Sequence, residues 1–169
     1  ERHLLAASPD GSRVRFVHAL TREALYESVT PPRRRLWHER AAAALMEADS
    51  PDPDAVAFHL QHAGDARARE WLVRAADRAQ RAYAWLTAAD RLRSATSLPA
   101  SHADSDDERC RLLFRLARLQ RFSFPDEALD VLDTTSSLAR TLNDPVLTFD
   151  MLFQRGVLLG YVNQFRAGI

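Results

Sequence analysis

The sequence predicts a mostly α-helical fold, and three observations carry that expectation. Ala supplies 28 of the 169 residues and Gly only 5, with few β-branched residues, a mixture that favours helix at most exposed positions. From Ala19 onward apolar residues recur with a period near 3.6, whereas strict alternation is confined to one short stretch. Apolar residues make up 46% and charged residues 27%, close to the globular average, which excludes a disordered tail, a collagen-like fibre and a disulfide scaffold. A chain of this length buries roughly two-thirds of its unfolded surface, enough for a core.

Two short segments, 2–7 and 13–18, flank Ser8-Pro9-Asp10-Gly11-Ser12, a turn sequence of the kind that closes a hairpin. Val14 and Phe16 alternate with Arg13 and Arg15, as in a half-buried strand. Leu20, Ala24, Leu25 and Val29 then form the apolar face of a short helix that ends before Pro31-Pro32. A second helix follows, with Thr30 as N-cap and Leu36, Trp37, Ala41, Ala44 and Leu45 on its buried side. The breaker Asp49-Ser50-Pro51-Asp52-Pro53 marks a boundary between residues 1–48 and 49–169. Beyond it the pattern predicts helices over 54–63, 66–83, 86–98, 107–121, 126–142 and 145–161. Their connections are short except the Ser/Asp-rich run 99–107, so successive helices should pack as antiparallel neighbours.

The second part repeats itself. Leu72, Ala75, Ala76 and Ala79 correspond to Leu113, Leu116, Ala117 and Gln120, then to Leu152, Arg155, Gly156 and Leu159, in steps of 41 and 39 residues. Ala88, Leu92 and Ala95 correspond likewise to Ala128, Leu132 and Thr135, and a third such helix would begin near Ala167. Large residues followed by small ones are what helices need where their backbones approach closely. The spacing resembles the tetratricopeptide repeat, with a period nearer 40 than the usual ~34. The chain opens at Glu1 and stops at Ile169 inside an amphipathic pattern, and it reads as a piece of a longer protein.

With 23 Arg, 23 acidic residues and no Lys, the net charge is zero, and no bulk attraction to nucleic acid or anionic lipid follows. A single Cys110 forms no internal disulfide, and neither a membrane span nor a signal peptide is visible, so a reducing, cytoplasmic setting is expected.

The stretch Arg15-Phe16-Val17-His18-Ala19-Leu20-Thr21-Arg22-Glu23-Ala24-Leu25-Tyr26, then Arg35-Leu36-Trp37-His38, His59 to Asp65 and Ala75 to Ala79, carries a resemblance. It resembles the end of the winged-helix domain, and the entry into helical repeats, of signal-transduction ATPases with numerous domains, particularly ATP-dependent LuxR-type transcriptional regulators. The resemblance spans about residues 1–98. It implies a winged-helix remnant over 1–48 and a tetratricopeptide-like superhelix over 49–169. The implied role is regulatory: the repeats would sense a protein or small-molecule effector and signal to an upstream ATPase module of the same chain, which governs transcription through a DNA-binding domain elsewhere. The alternative keeps this architecture as the scaffold of a nucleotide cyclase or kinase. In related ATPases a Met-His-Asp motif contacts the β-phosphate of ADP. The resemblance places that histidine at His18, with Val17 and Ala19 where the motif has Met and Asp. The competing role of His18 is to end a strand and bond locally.

No cofactor is expected in this segment, and ATP or ADP only in the full-length protein. A phosphate loop ending in Gly-Lys-Ser/Thr is impossible without Lys, so no ATP hydrolysis is expected here, and no catalytic residue is assigned. His59 and His62, three apart, share a helix side and with His38 or Asp65 have the makings of a metal site, but paired histidines are commonly just solvated and no metal is assigned. Arg33-Arg34-Arg35 opens a helix against its dipole, which suits an acidic partner, DNA phosphate or a solvated start. The acidic run 104–108 suits a helix N-terminus, and Cys110 a semi-buried spacer. Trp71, Tyr83, Trp85, Phe114, Phe122, Phe124, Phe149, Phe153, Tyr161 and Phe165 are expected mostly in the core, with some free to line a concave binding face.

Overall fold

A computed structural model of the chain describes residues 4–9, 14–99 and 105–166. Among these, a hairpin of β1 (Leu5–Ala7) and β2 (Val14–Phe16) precedes eight helices. They are α1 (Ala19–Ser28), α2 (Pro31–Met46), α3 (Pro53–Ala63), α4 (Ala68–Arg81), α5 (Trp85–Ser97), α6 (Asp106–Gln120), α7 (Pro125–Leu142) and α8 (Pro145–Arg166). The strands are antiparallel, with Leu5 opposite Phe16 and Ala7 opposite Val14. Asp10 to Ser12 of the expected turn, Arg13, Asp104 of the acidic run and Ala167 lie outside the described residues, as does the side chain of Phe165.

Local chemistry sets the helix ends. Asp52 caps α3 by accepting the Asp54 N–H, and Ser105 caps α6 by accepting the Glu108 N–H. Asp107 and Glu108 fall in the first turn of α6, where negative charge complements the dipole. Asp144 accepts the N–H groups of Val146 and Leu147 at the start of α8. Gly64 closes α3 in the left-handed region, at φ 75°. Thr30 does occupy the N-cap of α2, yet its hydroxyl makes no capping bond; Pro31, lacking an N–H, begins the helix instead.

From α2 to α8 each helix packs on the next. Ala42 of α2 shares one buried cluster with Val56, Ala57 and Leu60 of α3, Trp71 and Leu72 of α4 and Ala95 of α5, so the core runs across the loop at 49–53. Ala76, Ala89, Leu92, Leu112 and Leu116 join α4, α5 and α6. Cys110, Ala117, Ala128, Leu132, Ala139, Leu147, Met151 and Leu158 join α6, α7 and α8. The first two copies of the repeat follow the expected register. Ala76 and Ala117, and the facing Ala88, Leu92, Ala95, Ala128, Leu132 and Thr135, are all fully enclosed.

Several expected core positions are open. In the third copy Leu152, Gly156 and Leu159 are exposed, and Met151, Gln154, Leu158 and Val162 are buried instead. The reason is one-sided packing: α6 lies between α5 and α7, whereas among the described residues α7 is the one helix against which α8 packs extensively. Helix α1 buries no residue, and Leu20 is 79% exposed, because no element among the described residues covers its apolar face. On α2 the buried stripe is rotated to His38 and Ala42, leaving Leu36, Trp37 and Ala44 exposed and Ala41 and Leu45 half-buried. Of the aromatics whose side chains are described, only Trp71 is buried and Phe114 half-buried. Contacts built from Ala are too close for rings, so Tyr83, Trp85, Phe122 and Phe124 gather at interhelical turns, and Phe149 and Phe153 stand on the open side of α8.

Candidate functional site

His18 is the N-cap residue of α1 in extended conformation. Its carbonyl accepts the Arg22 N–H at 3.2 Å, but its imidazole makes no capping bond and is exposed. Nothing within the described residues holds the ring, so it is free to reach a partner.

The structure brings together His38, His59 and His62, which lie on two helices. His38 Nε2 is 2.9 Å from the Tyr26 hydroxyl, and His38 Nδ1 is 2.9 Å from His59 Nδ1. One ring must donate and the other accept, so this pair tolerates at most one extra proton. His62 stacks on His38 with ring centroids 4.8 Å apart, and its Nδ1–H donates to the Phe58 carbonyl at 2.8 Å. Phe58 packs on His62 at 4.1 Å. Burial lowers the His38 pKa below its ordinary 6.5, and the neighbouring His62 and His59 push the same way. Burial, then His62, lowers that of His59. Among the described residues no group of three or more His, Cys, Asp or Glu is placed to hold a metal ion. Asp65 is turned instead to Arg67, whose guanidinium holds its carboxyl below the usual range.

The basic start of α2 is engaged by rings, a use its composition did not suggest. Arg34 lies 5.0 Å from the centre of the Tyr26 ring and Arg33 lies 5.6 Å from that of Trp37. Cys110 is fully enclosed with its thiol toward the Thr135 carbonyl, and burial, followed by nearby Asp107, raises its pKa, the opposite of what a nucleophile needs.

A second locus was not singled out from sequence. Between the start of α5 and the carboxyl end of α6 lies a cavity of about 650 Å³, lined by Gln80, Trp85, Arg115, Arg118, Arg121 and Phe122 among others. Arg115 is committed to Asp77 and Gln80 of α4. Arg121 rests over the Phe122 ring at 4.5 Å, and its buried Nε has no hydrogen-bond partner. The signal that could have found this site is the spacing Arg115, Arg118, Arg121-Phe122 along one helix side, visible only once Trp85 is known to face it. No helix among the described residues is long and apolar enough to cross a membrane.

Comparison with family models, with curated proteins and with solved structures finds no match for the chain.

Proposed function

We propose that this chain is the sensor and protein-interaction segment of a multidomain ATP-dependent transcriptional regulator, comprising the end of a winged-helix domain and tetratricopeptide-like repeats. One observation carries the reading. Tyr26, His38 and His59, each from a different segment of the family resemblance, form a continuous hydrogen-bonded chain from α1 through α2 to α3. Helix α1 buries no residue, so this chain is its principal tie to the stack, and α2 shares a core with α3, α4 and α5. A shift of the repeats on binding an effector would therefore pass through His38 and Tyr26 to α1, and so to His18 at its start. There an imidazole N–H beside the free N–H groups of a helix N-terminus suits an ADP phosphate. The open face of α8, with Phe149, Leu152, Phe153 and Gly156, fits a further helix in the manner of α7 on α6.

In the full-length protein His18→Ala should speed ADP release about ten- to hundredfold, the worth of a charge-assisted hydrogen bond. The same change should leave the melting temperature of the present chain unmoved, since the ring has no partner here. An unchanged off-rate beside a depressed melting temperature would make His18 a structural residue and remove the nucleotide-sensing reading.

A further inference from the structure

Many arginines of the stack have a carboxylate in reach. Arg78 pairs with Asp52 and Asp54, Arg91 with Asp54, Arg93 with Asp90 and Glu127, Arg111 with Asp107 and Asp144, and Arg155 with Asp133. A second cavity, beside Pro51 and Trp71, also has arginines in its wall: Arg74 is paired with Glu70 and Arg78 with the two aspartates, while Arg81 makes no ion pair among the described residues. The cavity at Trp85 differs in holding two such arginines beside two exposed aromatic rings, Trp85 and Phe122. Its Arg115 is paired, while Arg118 and Arg121 make no ion pair among the described residues. Both point charge into a concavity whose other wall is aromatic.

Three further features converge there. Helix α5 begins at the cavity edge, at Trp85, with Ala84 as N-cap and no acidic residue in its first turn, so the positive end of its dipole has no local counter-charge. Tyr83, 77% exposed, takes a left-handed backbone at φ 58°, where a bulky residue is strained, and that turn sets its ring edge-on to Trp85 at 5.7 Å. Phe122 is 66% exposed and meets the Tyr161 ring edge-on at 5.9 Å. Exposed rings beside unpaired guanidiniums offer a ligand both apolar area and hydrogen-bond donors, and the cavity volume lies in the range of small-molecule sites.

We propose that this cavity binds a small organic anion with an aromatic body, its ring against Trp85 and Phe122 and its carboxylate on Arg118 and Arg121. The planar guanidinium fork suits a carboxylate, and cation-stacked Arg121 is already oriented over Phe122. This deepens the reading above by giving the effector a chemical class, and it rests on that reading for the word effector alone.

The test uses the chain itself, labelled with nitrogen-15, and 2-naphthoate as probe. Its three indole N–H signals come from Trp37, Trp71 and Trp85, with Trp85 assigned through Trp85→Phe. The Trp85 signal should move saturably with 2-naphthoate while the other two stay in place. Neutral 2-naphthamide should bind at least about tenfold more weakly, and Arg118→Gln with Arg121→Gln should cost about tenfold or more. Arg118 is exposed and unpaired, so Arg118→Gln alone keeps the test alive should the double variant fold poorly. No saturable shift at millimolar probe, equal binding of the amide, or equal movement of all three indoles would overturn the proposal. Because the readout is binding, its failure leaves the ADP off-rate experiment untouched, and failure of that experiment leaves this binding intact.

Discussion

The two ends of the molecule and its middle were written in the same apolar code and came out differently. In α1 the residues Leu20, Ala24 and Leu25 recur with helical period, as do Leu72, Ala75, Ala76 and Ala79 in α4. The four in α4 are buried and the three in α1 are exposed. The difference lies outside each helix: α4 has α3 on one side and α5 on the other, whereas α1 is joined mainly through Tyr26. Periodicity thus reports a face able to be covered, and coverage depends on what stands within reach. Helix α8 is the intermediate case, with the face toward α7 buried and the opposite face open.

The largest predicted contrast follows directly. Leu132→Ala, at a fully enclosed site between α6 and α8, should cost about 2 to 5 kcal/mol in denaturant unfolding. Leu20→Ala, on the open face of α1, should stay within about 0.5 kcal/mol. Equal losses would mean that α1 is covered in solution and erase the comparison.

The junction between the two regions should respond to acid. With the His38 and His59 pKa values below the ordinary 6.5, the unfolded chain binds more protons than the folded one between those values. Stability is therefore full above about 6.5 and falls as pH drops through the folded values. Asp54, which burial would raise but Arg91 and Arg78 hold down, and Asp65, held down by Arg67, keep their full contribution above their ordinary 3.8 and begin to lose it only below. Melting scans from pH 7.5 to 5 thus isolate the histidines, and His38→Gln with His59→Gln should flatten the slope. A slope unchanged in the double variant would assign the acid response elsewhere.

The smallest effect is expected on the exposed face. Arg155→Ala removes a half-exposed pair with Asp133 between α8 and α7 and should cost about 0.2 to 1 kcal/mol, less at high salt. A loss comparable to Leu132→Ala would show that α8 is held by charge rather than by Met151 and Leu158.

The helix boundaries were legible because Pro31, Pro53, Pro125 and Pro145 open helices, and Gly64 and Asn143 close them in the left-handed region. The repeat register was legible too, since the Ala positions of two copies match the sites where helices touch. What could not be read was which side of an amphipathic helix is finally covered, as Leu36, Trp37 and Leu152 show. The histidine cluster was half legible: the i, i+3 pair pointed to a shared side, but the Nδ1 contact with His38 depends on how α2 crosses α3. The cavity was not legible, because Trp85 and Arg118 are 33 positions apart and nothing local links them.

One matched set of variants reads the shared register of the repeats most directly. Ala76, Ala117 and Gly156 hold the same repeat position, enclosed in the first two copies and open in the third, where a Cβ on Gly156 meets nothing within 4 Å. Denaturant unfolding of Ala76→Leu and Ala117→Leu should show losses of about 1 to 3 kcal/mol from overpacking. Gly156→Leu should be neutral or gain up to about 1 kcal/mol from helix propensity. Three equal values, or a Gly156→Leu loss as large as the other two, would contradict the register.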